Sequence, residues 1–316
     1  MAKILITDPC FGEASEAFAT LANLGYVPVK SPYPIKEPEL IPLMEDAKAL
    51  IAGPDPVSAR AIEAAADLKI IARFGVGVDN VDIEAATRQG IIVTNAVGAN
   101  ADAVADYVFC LMLSLARNMQ EASSIVPQGE WQPMRGVEIY QKTLGVVGTG
   151  NIGRRVIRRA AGFDMRILAS DVIQNETLKR EYGVEYVTLD RLLGESDFVT
   201  LHVPVVPQTV GMIGEAQLAL MKPTAYLINT ARGRILNEDA LLKALKARQI
   251  AGAALDVFTE EPPEKSELFS LPTVIATPHI ASSTEEAMRK VDQNCIENVT
   301  NVLSGKDPIT PLNWPF

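Results

Sequence analysis

The sequence is poor in the residues that mark secreted, metal-binding or nucleic-acid-binding proteins. Its 316 residues include three cysteines, Cys10, Cys110 and Cys295, whose wide spacing matches no zinc site and disfavours disulfides. Neither a run of 18 apolar residues nor a signal peptide is visible, so we expect a cytoplasmic protein that has no membrane span and binds no metal. Basic residues are outnumbered by acidic ones, and the net charge of −10 would repel the phosphates of a nucleic acid.

The sequence does contain short apolar segments that alternate with amphipathic ones. Apolar residues make up 48% of the chain, which is enough for two buried cores at this length. Runs such as Ile4–Thr7 and Leu144–Val147 predict buried strands, and segments such as Ala14–Leu24 predict the helices between them. Strands that alternate with helices form parallel sheets covered on both faces. The sequence therefore predicts an α/β protein with two doubly wound parallel-sheet domains.

Residues 100–143 interrupt this alternation. Residues 100–118 are apolar on most sides and predict a buried helix at a boundary between two domains or two subunits. Residues 119–143 contain Gly, Pro and Trp131 without a helical or strand period, and they predict an extended arm. Because an apolar, irregular arm is unfavourable in water, we expect it to contact a second copy of the chain in a homodimer.

The strongest motif is the sequence TLGVVGTGNIGRRV at residues 143–156. Gly148, Gly150 and Gly153 form G-x-G-x-x-G directly after an apolar strand and before a helical segment. In that setting the first glycine permits a tight turn, the second lets backbone amides approach a pyrophosphate, and the third lets the helix pack close to its strand. The next strand ends at Asp171, where a carboxylate would bind ribose hydroxyls and repel a 2′-phosphate. The motif therefore predicts a dinucleotide site that prefers NAD to NADP, with a simple glycine-rich turn as the alternative.

The chain has only two histidines, and both lie at the ends of predicted strands. An enzyme that transfers a hydride to a carbonyl needs a group that moves a proton near neutral pH, and histidine suits this role best. His279 lies in ATPHIASST, beyond a strand and before a helix, where ligands bind in open α/β sheets. His202 ends another strand, and we interpret it as a backbone-bonded histidine that lines a cofactor cleft.

Charged residues follow two other predicted strands. Arg232 comes after one of them, where its guanidinium could bind a substrate carboxylate through two hydrogen bonds or form an ordinary ion pair. Asp256, Glu260 and Glu261 come after the next strand. A carboxylate beside a histidine fixes its tautomer and favours its protonated form. A solvent-exposed turn is the alternative interpretation of the two glutamates.

Six segments together resemble the D-isomer-specific 2-hydroxyacid dehydrogenase family, in the family's order and over essentially the whole chain. They are FGVGVDNVD (74–82), GVVGTGNIG (145–153), LHVPVVPQT (201–209), NTARGRILNEDAL (229–241), GAALDVFTEEPP (252–263) and TPHIASST (277–284). Within the family, the chain is most similar to D-3-phosphoglycerate dehydrogenases that lack a regulatory C-terminal domain. The resemblance implies a Rossmann NAD-binding domain of residues 99–282. It also implies a flavodoxin-like substrate-binding domain of residues 1–98 and 283–316.

The resemblance also implies roles for residues that match family motifs. His279 would be the general acid–base on the 2-oxygen of the substrate, with Glu261 as its partner, and Arg232 would bind the substrate carboxylate. The residues that would bind NAD are Gly148, Gly150, Asn151, Ile152, Gly153, Asp171, Val203, Pro204, Thr230, Ala231, Asp256 and Ala281.

The identity of the substrate stays open at this point. By the same resemblance, backbone groups of Val76 and Gly77 would help to bind the carboxylate, and Arg73 matches a position near the far phosphate of phosphoglycerate. We therefore expect a second anionic group on the substrate, although residues 51–58 lack the arginine expected nearby. Glyoxylate, hydroxypyruvate or another 2-keto acid is the alternative. A non-catalytic NAD(H)-sensing scaffold, such as the corepressors that share this fold, is the competing class, but no extra peptide-docking segment is visible.

Overall fold

Residues 1–315, which a computed structural model describes, contain two separate parallel sheets. The chain divides into unit 1, which comprises Met1–Asn100 and the segment from Ser283 onward, and unit 2, Ala101–Ser282. The division falls after Asn100, whereas the sequence placed it after residue 98. Both units have helices on the faces of a parallel sheet, so the predicted α/β class with two doubly wound sheets is confirmed.

The secondary-structure elements of the described residues are numbered in chain order. The strands are β1 (Lys3–Ile6), β2 (Val27–Lys30), β3 (Ala47–Ala52), β4 (Ile70–Arg73), β5 (Ile92–Asn95), β6 (Thr143–Val147), β7 (Arg166–Ser170), β8 (Glu185–Tyr186), β9 (Phe198–Leu201), β10 (Tyr226–Asn229), β11 (Gly252–Leu255) and β12 (Val274–Ala276). The α-helices are α1 (Ala17–Asn23), α2 (Glu37–Met44), α3 (Ala59–Ala64), α4 (Ile83–Arg88), α5 (Ala101–Ala116), α6 (Met119–Ile125), α7 (Gly153–Ala160), α8 (Glu176–Tyr182), α9 (Leu189–Glu195), α10 (Glu215–Leu220), α11 (Glu238–Lys246) and α12 (Glu285–Leu303).

The sheet of unit 1 has the strand order β2-β1-β3-β4-β5, which is the flavodoxin-like order. One face packs on α1 and α12, where Cys295 and Val299 belong to the same buried cluster as the strand residues Ile6 and Ile70. The other face packs on α2, α3 and α4. Helix α12 begins at Glu285 because the side chain of Thr284 accepts a hydrogen bond from the helix's own backbone.

The sheet of unit 2 has the strand order β12-β11-β10-β9-β6-β7-β8. The chain winds outward from β6 in one direction through β7 and in the other through β9, as in dinucleotide-binding sheets. Successive residues of β6 point to opposite faces, so that Val146 belongs to the core beneath α5 and α7, and Val147 to the core beneath α9 and α11. In such sheets, ligands bind beyond the carboxyl ends of the strands, where the winding direction changes.

Helix α5 is buried, as its apolar sequence predicts, and it packs inside unit 2 against α7 and β10. The prediction of an irregular arm from residue 119 was wrong at its start, because Met119–Ile125 forms helix α6 and Val126–Gln128 forms a 3-10 turn. The helix was missed because it has only two turns and buries none of its residues. Within residues 1–315, no helix is long and apolar enough to cross a membrane.

Candidate active site

The glycine-rich loop between β6 and α7 leaves room for a ligand. Gly148 has φ of +92°, and a Cβ there would lie 2.6 Å from the carbonyl oxygen of His202. A Cβ at Gly153 would lie 2.0 Å from the carbonyl oxygen of Gly148, so the helix can begin at that point only with glycine. At Gly150, in contrast, no atom lies within 4 Å of the Cβ position. This open space lets a phosphate group approach the backbone amides of the loop.

Asp171 lies beside this loop as a fixed anion. Its Oδ2 accepts hydrogen bonds from the amide of Thr149 at 2.6 Å and from the Thr149 hydroxyl at 2.9 Å, and its Oδ1 accepts one from the amide of Ile173 at 3.0 Å. Burial would raise the pKa of Asp171, but the hydrogen bonds from Ile173 and Thr149 hold that pKa below its usual value. A carboxylate has about four acceptor positions, so Asp171 can still accept a hydrogen bond from a ribose hydroxyl.

Two polar atoms at the same edge of the sheet are buried without a hydrogen-bond partner in the described residues. They are the hydroxyl oxygen of Thr230, which follows β10, and Nδ1 of His202, which follows β9. A buried polar group without a partner is unfavourable, and a bound ligand is one way to supply the partner. These atoms, the open space at Gly150 and the anion at Asp171 all fit a dinucleotide along this edge.

His202 is unsuited to proton transfer. Burial lowers the pKa of its imidazole to about 3, so the ring is neutral at physiological pH. Its Nε2 lies 2.9 Å from the hydroxyl oxygen of Thr200. The interpretation of His202 as a backbone-bonded histidine was therefore wrong for its side chain, because the imidazole bonds to the hydroxyl of Thr200. Only the main-chain amide of His202 bonds to the backbone, where it donates to the carbonyl oxygen of Val147.

His279 and Glu261 form a close pair beyond β11 and β12. Nδ1 of His279 lies 2.7 Å from Oε2 of Glu261, and both side chains are partly exposed. Burial would raise the pKa of Glu261, but the hydrogen bond with His279 and one from the amide of Phe258 hold that pKa below its usual value. An ionised carboxylate can only accept a hydrogen bond, so Nδ1 of His279 is the donor. The other ring nitrogen, Nε2, is then left for the substrate. The neighbouring Glu260 is exposed.

The backbone of His279 is held in an unusual conformation. Its φ of +54° lies in the left-handed region, which side chains other than glycine rarely adopt. The fully buried Asp256 stabilises this turn, because it accepts hydrogen bonds from the amides of Ile280 at 2.9 Å and Ala281 at 2.8 Å and from the hydroxyl of Thr277 at 2.7 Å. Asp256 therefore positions His279, and the NAD contact that the resemblance implies for it stays a prediction. Strained residues of this kind occur preferentially at active sites.

Arg232 follows β10 and lies close to the pair that His279 and Glu261 form. The charge of Arg232 lowers the pKa of Glu261, after the effects of burial and of the closer hydrogen bonds. The fully buried Asn229 shapes the turn, because its side chain donates to the carbonyl oxygen of Arg232 at 2.9 Å and accepts from the amide of Ala231 at 3.0 Å. A cation, a carboxylate and a histidine thus converge at the ends of three neighbouring strands.

Sequence reasoning missed Gly233 and Asn229 as determinants of this site. A Cβ at Gly233 would lie 1.9 Å from the carbonyl carbon of Phe258, so the turn after β10 contacts the turn after β11 directly. That backbone contact brings Arg232 towards Glu261. No local signal distinguishes Gly233 from an ordinary turn glycine, because the contact is made by residues 25 positions away.

The predicted substrate loop of unit 1 follows β4. The amide of Ala96 donates to the carbonyl oxygen of Gly75 at 2.8 Å, and the side chain of Asn95 donates to that of Val76 at 2.7 Å. Two donors, one in the last residue of β5 and one directly after it, therefore hold the loop that contains Val76 and Gly77 in place. The remaining predicted cofactor residues lie at the carboxyl edge of the unit 2 sheet: Asn151 and Ile152 after β6, Val203 and Pro204 after β9, Ala231 after β10, and Ala281 after β12. Within residues 1–315 no group of three or more His, Cys, Asp and Glu side chains is arranged to hold a metal ion.

Comparisons with known proteins point to one family. The family model described as D-isomer specific 2-hydroxyacid dehydrogenase, NAD binding domain, matches residues 109–281. A glyoxylate reductase from Korarchaeum cryptofilum is 44% identical over 292 residues, which cover 90% of this chain and 88% of that protein. A D-3-phosphoglycerate dehydrogenase from Methanocaldococcus jannaschii is 43% identical, and the match covers 100% of this chain but 60% of that protein. The crystal structure of the TT0316 protein from Thermus thermophilus matches with a TM-score of 0.91 and 33% identity, and the match covers 98% of this chain and all of that one.

Proposed function

The chain belongs to the D-isomer-specific 2-hydroxyacid dehydrogenase family, and on that basis we propose that it interconverts a short 2-keto acid and the D-2-hydroxy acid, with His279 as the acid–base. It is an NAD-dependent oxidoreductase that acts on CH–OH groups. The observation that carries the assignment of His279 is its 2.7 Å contact with the ionised Glu261. Loss of turnover in His279→Asn tests this assignment.

Each residue of this site has one proposed task. In the direction of reduction, His279 donates a proton from Nε2 to the 2-oxygen of the keto acid, and Glu261 stabilises the protonated ring. Arg232 binds the carboxylate of the substrate through two parallel hydrogen bonds and so orients the keto group. The family resemblance also assigns backbone groups of Val76 and Gly77 to carboxylate binding. Bound NADH supplies the hydride for C2 of the keto acid.

We propose that NAD is bound along the carboxyl edge of the unit 2 sheet. The pyrophosphate would lie over the open position at Gly150, and the adenosine ribose would donate to Asp171. The hydroxyl of Thr230, which has no partner in the described residues, is a further candidate contact. The other residues proposed for NAD are Gly148, Asn151, Ile152, Gly153, Val203, Pro204, Ala231, Asp256 and Ala281.

We expect Asp171→Ser to erode a strong preference for NADH over NADPH. The serine loses a charged acceptor for the ribose and no longer repels the 2′-phosphate, so the ratio of kcat/KM for the two cofactors should fall about 10- to 100-fold. Asp190→Ser removes an exposed carboxylate elsewhere in unit 2 and serves as the control. Equal kcat/KM with the two cofactors in the unaltered protein would contradict the role of Asp171.

Two substrate classes are supported by different observations. Glyoxylate or hydroxypyruvate is favoured because the glyoxylate reductase from Korarchaeum cryptofilum matches over most of both chains. A 3-phosphoglycerate-type substrate is favoured by Arg73, which ends β4 at the start of the substrate loop, and by the D-3-phosphoglycerate dehydrogenase from Methanocaldococcus jannaschii, which matches over this whole chain. A panel of 2-keto acids tested with NADH, including glyoxylate, hydroxypyruvate, pyruvate and 3-phosphohydroxypyruvate, decides between the classes. No turnover with any of them would refute the proposed function.

We also propose that the enzyme is a homodimer formed through an apolar groove in unit 2. The groove has a volume of about 470 Å³ and lies between the end of α5, helix α6 and the segment that follows it. Trp131 lines the groove and is 91% exposed, and Met119 and Val126 are half exposed. Contiguous exposed apolar side chains are unfavourable in water, and a twofold-related groove offers a matching surface.

In sedimentation experiments at micromolar concentration we expect the unaltered protein to be a dimer and Trp131→Asp to be largely monomeric. Burial of a charge against an apolar surface is strongly unfavourable. Leu220→Asp, which places the same charge on an exposed position of α10, should leave the dimer intact. A monomeric unaltered protein would refute this assembly.

A further inference from the structure

A chain of hydrogen bonds within unit 2 ends on the carboxylate of Asp171. The amide of Asn175 donates to the hydroxyl oxygen of Tyr186 at 3.1 Å, and that hydroxyl donates to the hydroxyl oxygen of Thr149 at 3.1 Å. The hydroxyl of Thr149 donates in turn to Oδ2 of Asp171 at 2.9 Å. We call the amide of Asn175 and the hydroxyls of Tyr186 and Thr149 the hydroxyl relay.

The two ends of the hydroxyl relay give it a single direction. A backbone amide can only donate a hydrogen bond, and an ionised carboxylate can only accept one. Each hydroxyl has one proton, so Thr149 must give its proton to Asp171, and Tyr186 must give its proton to Thr149. The hydrogen bonds of such a chain polarise one another, so the bond from Tyr186 strengthens the bond on Asp171.

Thr149 lies at the centre of the relay, inside the glycine-rich loop. It stands between Gly148 and Gly150 and is buried, so its hydroxyl is shielded from water. Its amide donates to the same Oδ2 of Asp171 at 2.6 Å. The two bonds from Thr149 use both acceptor positions of Oδ2. A ribose hydroxyl must therefore approach the other oxygen, Oδ1, which accepts from the amide of Ile173 at 3.0 Å.

Tyr186 is held in place by the short edge strand β8. It lies opposite Ala169 of β7, which is two residues before Asp171, so both residues belong to the same end of the sheet. The ring of Tyr186 packs against the core beneath α5 and α7, and Nζ of Lys179 lies 5.5 Å from the centre of the ring. These contacts restrict the ring and pre-position its hydroxyl for Thr149.

The loop between β7 and α8, residues 171–175, has little apolar packing of its own. Val172 is 98% exposed and Ile173 is 75% exposed, so neither side chain anchors the loop. Hydrogen bonds hold it instead, because the relay binds the loop at both of its ends, Asp171 and Asn175. The orientation of the Asp171 carboxylate therefore depends on hydrogen bonds from outside the loop.

From this arrangement we propose that Thr149 and Tyr186 are positioning residues of the NAD site, whose hydroxyls hold Asp171 with Oδ1 directed at the adenosine ribose. The inference rests on the proposed role of Asp171 and extends it to the residues that orient this carboxylate. The relay acts on the affinity for the cofactor and leaves proton transfer at His279 unchanged. Because the charge of Asp171 is kept without the relay, its loss weakens NADH binding and does not admit NADPH.

Thr149→Val removes the central hydroxyl with little change in shape and keeps the amide. The dissociation constant of NADH, from fluorescence titration, should rise about tenfold, since hydrogen bonds to charged groups are among the stronger ones. The kcat at saturating NADH should stay within about twofold, because the acid–base is untouched. Thr149→Ser keeps the hydroxyl and should retain the affinity, and Tyr186→Phe should lower it about threefold through the loss of polarisation. Tyr182→Phe, which removes a hydroxyl at the end of α8 outside the relay, is the control.

An NADH analogue that lacks the 2′-hydroxyl of the adenosine ribose separates positioning from a merely structural role. The unaltered enzyme should bind this analogue about tenfold more weakly than NADH, because a hydrogen bond to Asp171 is lost. Thr149→Val should bind NADH and the analogue with similar affinity, because the oriented acceptor is already gone. If Thr149→Val weakens the binding of NADH and of the analogue by the same factor, the role is structural and the inference is overturned.

Asp171→Ser separates a failure of this inference from a failure of the proposed role of Asp171. Normal NADH affinity in both Thr149→Val and Tyr186→Phe, alongside the expected effects of Asp171→Ser, would overturn the inference alone. Unchanged cofactor binding in Asp171→Ser would overturn both. A gain of activity with NADPH in Thr149→Val would also overturn the inference, because the charge of Asp171 is kept. If Thr149→Val does not fold, Tyr186→Phe, which leaves the glycine-rich loop unaltered, is compared with NADH and the analogue in the same way.

Discussion

Replacement of His279 by asparagine is expected to lower kcat by a factor on the order of 10² to 10⁴, which is the usual contribution of a general acid–base. Asparagine is the appropriate substitute because, like histidine, it tolerates the left-handed backbone conformation that residue 279 adopts. It cannot transfer a proton near neutral pH. Binding of NADH, followed by its fluorescence, should persist, because the glycine-rich loop and Asp171 are untouched. Near-normal turnover in this variant would refute the assignment of His279.

The partner of His279 can be tested separately through the pH dependence of the reaction. Reduction needs a protonated His279, and the anionic Glu261 favours that form. The pKa of Glu261 is lowered, so the anion is present well into the acidic range. In Glu261→Gln the protonated ring is less favoured, and the rate of reduction should therefore decline at lower pH than in the unaltered enzyme. Glu260→Gln is the matched control, and equal pH profiles for the two variants would remove Glu261 from the mechanism.

The parts of the molecule that sequence could predict are those set by local patterns. The alternation of apolar and amphipathic runs indicated the two parallel sheets, because a strand that is buried on both faces consists of a short run of apolar residues in the sequence. The glycine-rich loop and Asp171 were predictable because both lie within one βαβ unit at a spacing fixed by its geometry. Helix α6 was missed because a helix of two exposed turns is too short for a helical period of apolar residues to be recognised.

The features that sequence could not predict depend on contacts between distant residues. The left-handed turn at His279 is held by three hydrogen bonds to the buried Asp256. The segment ATPHIASST does not by itself predict these hydrogen bonds, because their acceptor lies more than 20 residues earlier in the chain. Gly233 matters because its backbone contacts that of Phe258, 25 positions away. Arg73 stays a candidate for binding a second anionic group, and its guanidinium donates to the carbonyl oxygen of Phe74.

Arg232→Ala is expected to lower kcat/KM for every 2-keto acid about 10²- to 10⁴-fold, since it removes two charge-assisted hydrogen bonds of roughly 1.5–3 kcal/mol each. The loss should appear for charged and uncharged side chains alike, because all these substrates share the carboxylate that Arg232 is proposed to bind.

Arg232→Lys separates the geometry of the guanidinium from its charge. Lysine keeps the positive charge beside Glu261 but lacks the planar fork, so we expect an intermediate activity, with kcat/KM at least about tenfold below that of the unaltered enzyme. The fully buried Asn229 holds the turn through backbone atoms of residues 231 and 232, so both substitutions leave its hydrogen bonds in place. Far-UV circular dichroism and NADH binding should accordingly be unchanged. Full activity of Arg232→Lys would show that charge alone is needed, and full activity of Arg232→Ala would exclude Arg232 from substrate binding.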